Sequence, residues 1–154
     1  MKQEDKELLL KDLCARLPYG VNVEYTSKAI VIATNTEEII TRPLFLYSIN
    51  TLDDMTVSGI DDDGDSWICF FEVIKPYLFP LSSMTEEQQE EFDRIYADDM
   101  QVVANNLKNR LDGKPYETNF GHYRHIDWLN ANHFDYRGLI EKGLAIDATG
   151  LNIY

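Results

Sequence analysis

The chain has 154 residues, a length suited to one domain that can bury a core without disulfides or metals. Its formal net charge is −13, and residues 61–100 alone hold twelve acids against two bases. Such a surface repels phosphates and anionic membranes, which excludes a direct nucleic-acid reader or a membrane-surface protein, and it attracts a basic partner. No apolar run approaches the roughly 18 residues of a membrane span. The start, MKQEDKELLLKDL, lacks the apolar core of a secretory signal. Cys14 and Cys69 therefore read as reduced thiols of a cytoplasmic protein.

Residues 2–16 read as an amphipathic helix, with Leu9, Leu10, Leu13 and Leu17 on one stripe and Pro18 and Gly20 closing it. VNVEY (21–25) alternates like a half-buried strand, Thr26–Lys28 reads as a turn, and AIVIAT (29–34) as a more buried strand. A polar turn at 35–38 leads into IITRPLFLYSI (39–49), where Pro43 marks a strand start, an edge or a bulge. After a turn at 51–54, TVSGI (56–60) and SWICFFEVI (66–74) flank DDDGD (61–65), a hairpin tip. KPYLFPLSSMT (75–85) reads as a proline-bounded aromatic connector. Thr85 with Gln88 forms a capping-box signal for a helix whose apolar stripe runs through Phe92, Ile95, Val103, Leu107 and Leu111. That stripe falters at 97–99, which leaves one helix or two. A short helix is expected near 125–132, and another near 136–142 between Asp135 and Gly143, followed by a partly ordered tail in which Ile146 or Leu151 could dock.

The expected fold is α+β in a single domain, 1–154. An N-terminal helix precedes a small curved antiparallel sheet or open barrel of five to six short strands (17–74), and C-terminal helices (85–145) pack against it. The strings LPYGV (17–21), KPYLFPLSSMT (75–85) and DWLNANHFDYRGLIEKGLA (127–145) resemble a family of small uncharacterised proteins of gut anaerobes and of their phages and mobile elements. The resemblance covers both halves of the chain but not 26–65 or 94–123. It implies a cytosolic domain of phage or mobile-element origin, and it brings no activity, cofactor or catalytic residue.

Four constellations invite chemistry. Asp61, Asp63 and Asp65, with Ile68 and Glu72, fall at calcium-loop spacing, but Gly64 comes two residues early and the flanks are strand-like, which favours a plain acidic hairpin. His122, His125 and His133 with Asp127 lie within twelve residues and could hold a metal or simply be structural. Cys14, Cys69, Ser82 and Ser83 lack a nucleophile motif. Tyr77, Phe79 and Pro80 could line a peptide groove or seal a seam. The reading that follows is a non-enzymatic interaction module with no cofactor and a protein partner, plausibly basic. Its first candidate surface is Glu86, Glu87, Glu90, Glu91 and Asp98 with Asp61 and Asp63. The alternatives are an acidic DNA mimic that inhibits a host nucleic-acid-binding protein, for which block 61–100 must form one face, and a metal-binding protein or metal-dependent enzyme using the histidines. The sequence names neither a partner nor an oligomeric state.

Overall fold

The structure is a computed structural model that describes residues 1–31, 36–51, 55–115 and 123–154. Helix α1 (Gln3–Arg16) leads through a 3-10 turn into strands β1 (Val21–Val31), β2 (Thr36–Asn50), β3 (Thr56–Ile60), β4 (Ser66–Phe70) and β5 (Ile74–Pro80). Helices α2 (Glu86–Leu111) and α3 (Arg124–Ala131) and two short strands, β6 (Phe134–Asp135) and β7 (Ile146–Asp147), complete it. The architecture is the expected α+β. The sheet is open, in the order β4-β3-β2-β1-β5-β6, with β7 also on β5; only the β6 and β7 pairings are parallel.

The leucine stripe of α1 folds as its spacing dictates. Leu9 and Leu13 are fully buried in one cluster with Val21, Val23, Leu44, Leu46, Val57, Cys69 and Ile74, inward residues of β1 to β5, and with Phe71 of the turn after β4. Gly59 lets β3 close on β2, since a Cβ there would stand 3.1 Å from the Phe45 carbonyl oxygen. A second cluster joins Leu78 of β5 to Leu139, Leu144 and Ala145. A buried ion network ties α1 to the C-terminal part. Arg16 bonds both carboxylate oxygens of Asp12, at 2.7 and 3.0 Å, and donates to the carbonyls of Phe134 and Leu129. Arg137 adds a 3.0 Å bond to Asp12.

Four expectations are corrected. Thr26–Lys28 is no turn; β1 runs through it, because the far ends of β1 and β2 form a two-stranded ribbon in which cross-strand pairs suit polar residues. Thr26 and Thr41 hydroxyls meet at 3.3 Å, and Lys28 bridges Glu37 at 3.4 Å. The 35–38 turn is likewise strand from Thr36 onward. The aromatic connector begins as strand β5. The carbonyl of Leu78 accepts from Ala148 and the N–H of Phe79 donates to His133, so β7 and β6 flank opposite edges of its second half. Its prolines fall where they harm the ladder least, Pro76 at the last registered pair with β1 and Pro80 at the strand end.

Helix α2 is one helix of 26 residues, opened by the expected capping box. The stripe falters because Asp99, where an apolar residue is expected, is a buried carboxylate reaching α3. It accepts from the His125 N–H, the His125 ring and Arg124 at 3.0, 2.7 and 3.0 Å. Residues 136–142 form hydrogen-bonded turns rather than a helix. Gly138 at φ 71° interrupts the start, while the Asp135 carboxylate accepts from the N–H groups of Arg137, Leu139 and Ile140. The tail is docked, with Ala148 fully buried and the Tyr154 hydroxyl donating to the Tyr77 carbonyl at 2.9 Å.

Candidate functional site

The inner face of the sheet is covered by α1. Alternation sends every other side chain of β2, β3 and β4 to the outer face. There the register sets Phe45 opposite Ile60, Ser58 opposite Ile68 and Thr56 opposite Phe70. Tyr47 is the extra residue of a bulge between Leu46 and Ser48 and also faces out. Ile68 is 78% exposed, Phe70 63%, Tyr47 50%, Phe45 49% and Ile60 39%. The remaining outward residues of β3 and β4 are Thr56, Ser58 and Ser66, so these two strands present no charge in a protein of −13. Five large hydrophobics on and beside these uncharged strands form the kind of apolar patch that monomeric proteins seldom leave open. The Phe45 ring lies over Gly20, where an added Cβ would come within 2.8 Å of it, so Gly20 (φ 81°) holds the ring in place.

The acidic block is divided. Glu86, Glu87, Glu90 and Glu91 are exposed on the first turns of α2, and Asp98 is exposed about two turns later, 3.5 Å from Arg124. Helix α2 packs on α3, at the β6 end of the structure, whereas the 61–65 hairpin belongs to the opposite edge of the sheet. Asp63 is exposed there, but Asp61 is a correction to the expected surface: it is buried. Its carboxylate accepts from the N–H groups of Asp63 and Asp65, from Trp67 Nε1 at 2.8 Å and from Arg42 at 2.9 Å. Arg42 in turn lies over the Trp67 ring. Burial pushes the Asp61 carboxyl up, and these hydrogen bonds outweigh it and hold it below the usual range. The calcium-loop spacing therefore serves a turn: Asp63 and Asp65 supply backbone donors to Asp61, and Glu72 sits in a 3-10 turn bridging Lys6 at 3.2 Å.

Of the three histidines, His122 lies outside the described residues. His125 is bound to Asp99, whose carboxyl is raised by burial but held low on balance by His125 and Arg124. His133 is the turn residue between α3 and β6, at φ 58°, with its ring stacked 3.8 Å from Tyr154. Burial, then the charge of Arg16, pulls its pKa from 6.5 to about 4. Its Nδ1 is buried with no hydrogen-bond partner. Among the described residues no three His, Cys, Asp or Glu side chains gather to hold a metal.

No nucleophile emerges at the other candidates. Cys69 is buried with its thiol pushed up, Cys14 is exposed, and Ser83 donates to the Pro80 carbonyl at 2.8 Å. Around the connector, Tyr77 is buried, whereas Phe79 lines a recess of about 390 Å³ with Ser83, Gln88, Asn132, His133 and Tyr154. Three of its polar walls are occupied at home, Ser83 by Pro80, Gln88 by the capping box and Asn132 by the Trp128 carbonyl, while His133 Nδ1 is left without a partner.

The outer-face patch was missed in sequence because WICFF is apolar at successive positions, so alternation does not tell which of its faces is open. Comparison with models of protein families, with curated proteins and with solved structures gives no significant match. Among the described residues, no helix is long and apolar enough to cross a membrane.

Proposed function

We propose that the protein is a non-enzymatic protein-interaction module of the phage or mobile-element kind its motifs resemble, working in the cytoplasm. The observation that carries this reading is the set of five exposed large hydrophobics on the outer face of β2–β4, where β3 and β4 present no charge. An apolar face of that kind, with no convergent polar constellation beside it, suits a protein partner rather than a small substrate. The DNA-mimic alternative is weaker. It needs one continuous acidic face from block 61–100, and the carboxylates divide between α2 and the far edge of the sheet, with Asp61 and Asp99 buried against Arg42 and Arg124.

The test is site-specific photocrosslinking in lysate of the source cells. A photoreactive residue is placed at Phe45 or Ile60, on the outer face, or at Glu90, on α2. Discrete protein adducts from the two outer-face positions and not from Glu90 are expected. Adducts from Glu90 alone would transfer the function to the acidic helix, and none from any position would overturn the module.

A further inference from the structure

We propose that β4 is a docking strand, to which a partner adds an extended segment that pairs antiparallel with Ser66–Phe70, apolar opposite Phe70 and Ile68 and followed by Lys or Arg. The proposal rests on the interaction-module reading and specifies its partner. Strand β4 ends the sheet, with β3 as its only neighbour among the described residues. The ladder between them is pinned at both ends. Asp61 N–H donates to the Asp65 carbonyl at 3.0 Å, and Phe71 N–H to the Met55 carbonyl at 3.0 Å. In an antiparallel pair only alternate residues bond inward. The backbones of Trp67 and Cys69 therefore face β3, and the N–H and C=O groups of Ser66, Ile68 and Phe70 point outward, with no strand among the described residues pairing them. The side chains of Ile68 and Phe70 are also the most exposed of the five hydrophobics of the patch.

Natural edge strands are ordinarily guarded by Lys, Pro, a bulge or a covering element. SWICF contains no Lys or Pro, and its pairing with β3 runs without a register shift. A free edge bearing apolar side chains is the receptor form of strand addition.

Charge selects the occupant. At the Ser66 end, Asp62, Asp63 and Asp65 are exposed, and none of the ion pairs among the described residues involves them. An antiparallel partner ends its strand there, which places its basic residues after its apolar ones. A second copy fits worse. Pairing β4 with itself about Ile68 would bring each Asp63–Asp65 turn beside the other's Glu72, and like charges opposed across strands repel.

The probe is a labelled peptide, acetyl-Thr-Val-Thr-Val-Thr-Ser-Lys-Lys-amide, titrated against the full chain by fluorescence anisotropy. Saturable binding is expected, weaker at high salt, and weaker by about tenfold or more in Ile68→Pro. That substitution removes an outward N–H and leaves the β3 ladder intact. A peptide with its two lysines moved to the front should bind more weakly. Amide exchange on the unmodified protein gives a readout that does not depend on any variant folding: the peptide should protect Ser66, Ile68 and Phe70.

Absence of peptide binding, or binding indifferent to Ile68→Pro without protection of those amides, overturns strand addition. A dimer in sedimentation that Ile68→Pro dissociates would assign the edge to a second copy and overturn it too. If outer-face crosslinks persist while the peptide fails, the module stands and the edge is not its contact; if both fail, both readings fall.

Discussion

Acid should find one weak point first, at His133. Its ring is buried and neutral, and its pKa stands at about 4 against an ordinary 6.5. In the unfolded chain the imidazole takes up a proton near pH 6.5, whereas the folded protein resists until about pH 4. Between those values the unfolded state binds more protons, so stability falls as pH falls. The contribution is fully present above pH 6.5 and lost by about pH 4, a total of about 3 kcal/mol for this residue. The comparison is His133→Asn, because asparagine tolerates the left-handed φ of 58°. Losing the stack on Tyr154 lowers the variant's stability by an offset that does not depend on pH. Urea unfolding followed by tryptophan fluorescence at pH 7, 6, 5 and 4.5 gives both curves, and contributions of the other histidines cancel in their difference. The wild type should lose ground on the variant steadily toward pH 4. Parallel curves would show that His133 is not held neutral by burial, and the reasoning would be wrong.

Other consequences are simpler to check. Asp12→Ala leaves Arg16 fully buried without its carboxylate and should cost about 3–5 kcal/mol in chemical unfolding, though Arg16 keeps its two carbonyl acceptors. Asp61→Asn weakens the tie to Arg42 and Trp67 and should lower Tm and shift Trp67 emission toward that of exposed indole. In the wild type the stability from Asp61 is present above pH 3.8, the ordinary carboxyl value, and is lost as pH drops through its lower folded value. With a chromogenic disulfide reagent, Cys14 should react in the native protein and Cys69 only after unfolding; rapid native reaction of both would contradict the burial of Cys69.

Much of the fold was legible because local chemistry and tertiary demand agreed. The leucine spacing of α1, the Thr85–Gln88 cap and the turn of the DDDGD hairpin each follow from a few neighbouring residues, and each stands where expected. The failures share a cause, a residue whose partner lies far along the chain. Asp99 looked like a break in α2 because its partners, Arg124 and His125, are 25 and 26 residues away. KPYLFP looked like a connector because its strand neighbours come from 134–135 and 146–147. Residues 136–142 carried the right ends for a helix, but Gly138 and the docking of Leu139 and Leu144 on Leu78 set a tighter path.

The candidate site was hidden for the same reason. Strand periodicity shows that a strand has two faces, and apolar residues on both imply that both are covered. By itself the sequence determined α1, the α2 cap, the 61–65 hairpin and where the charge lies, since these depend on neighbours within a few residues. Only the tertiary structure decided that α1 covers one face of the sheet and that Phe45, Tyr47, Ile60, Ile68 and Phe70 stand uncovered on the other, because burial depends on which distant segment packs over a residue.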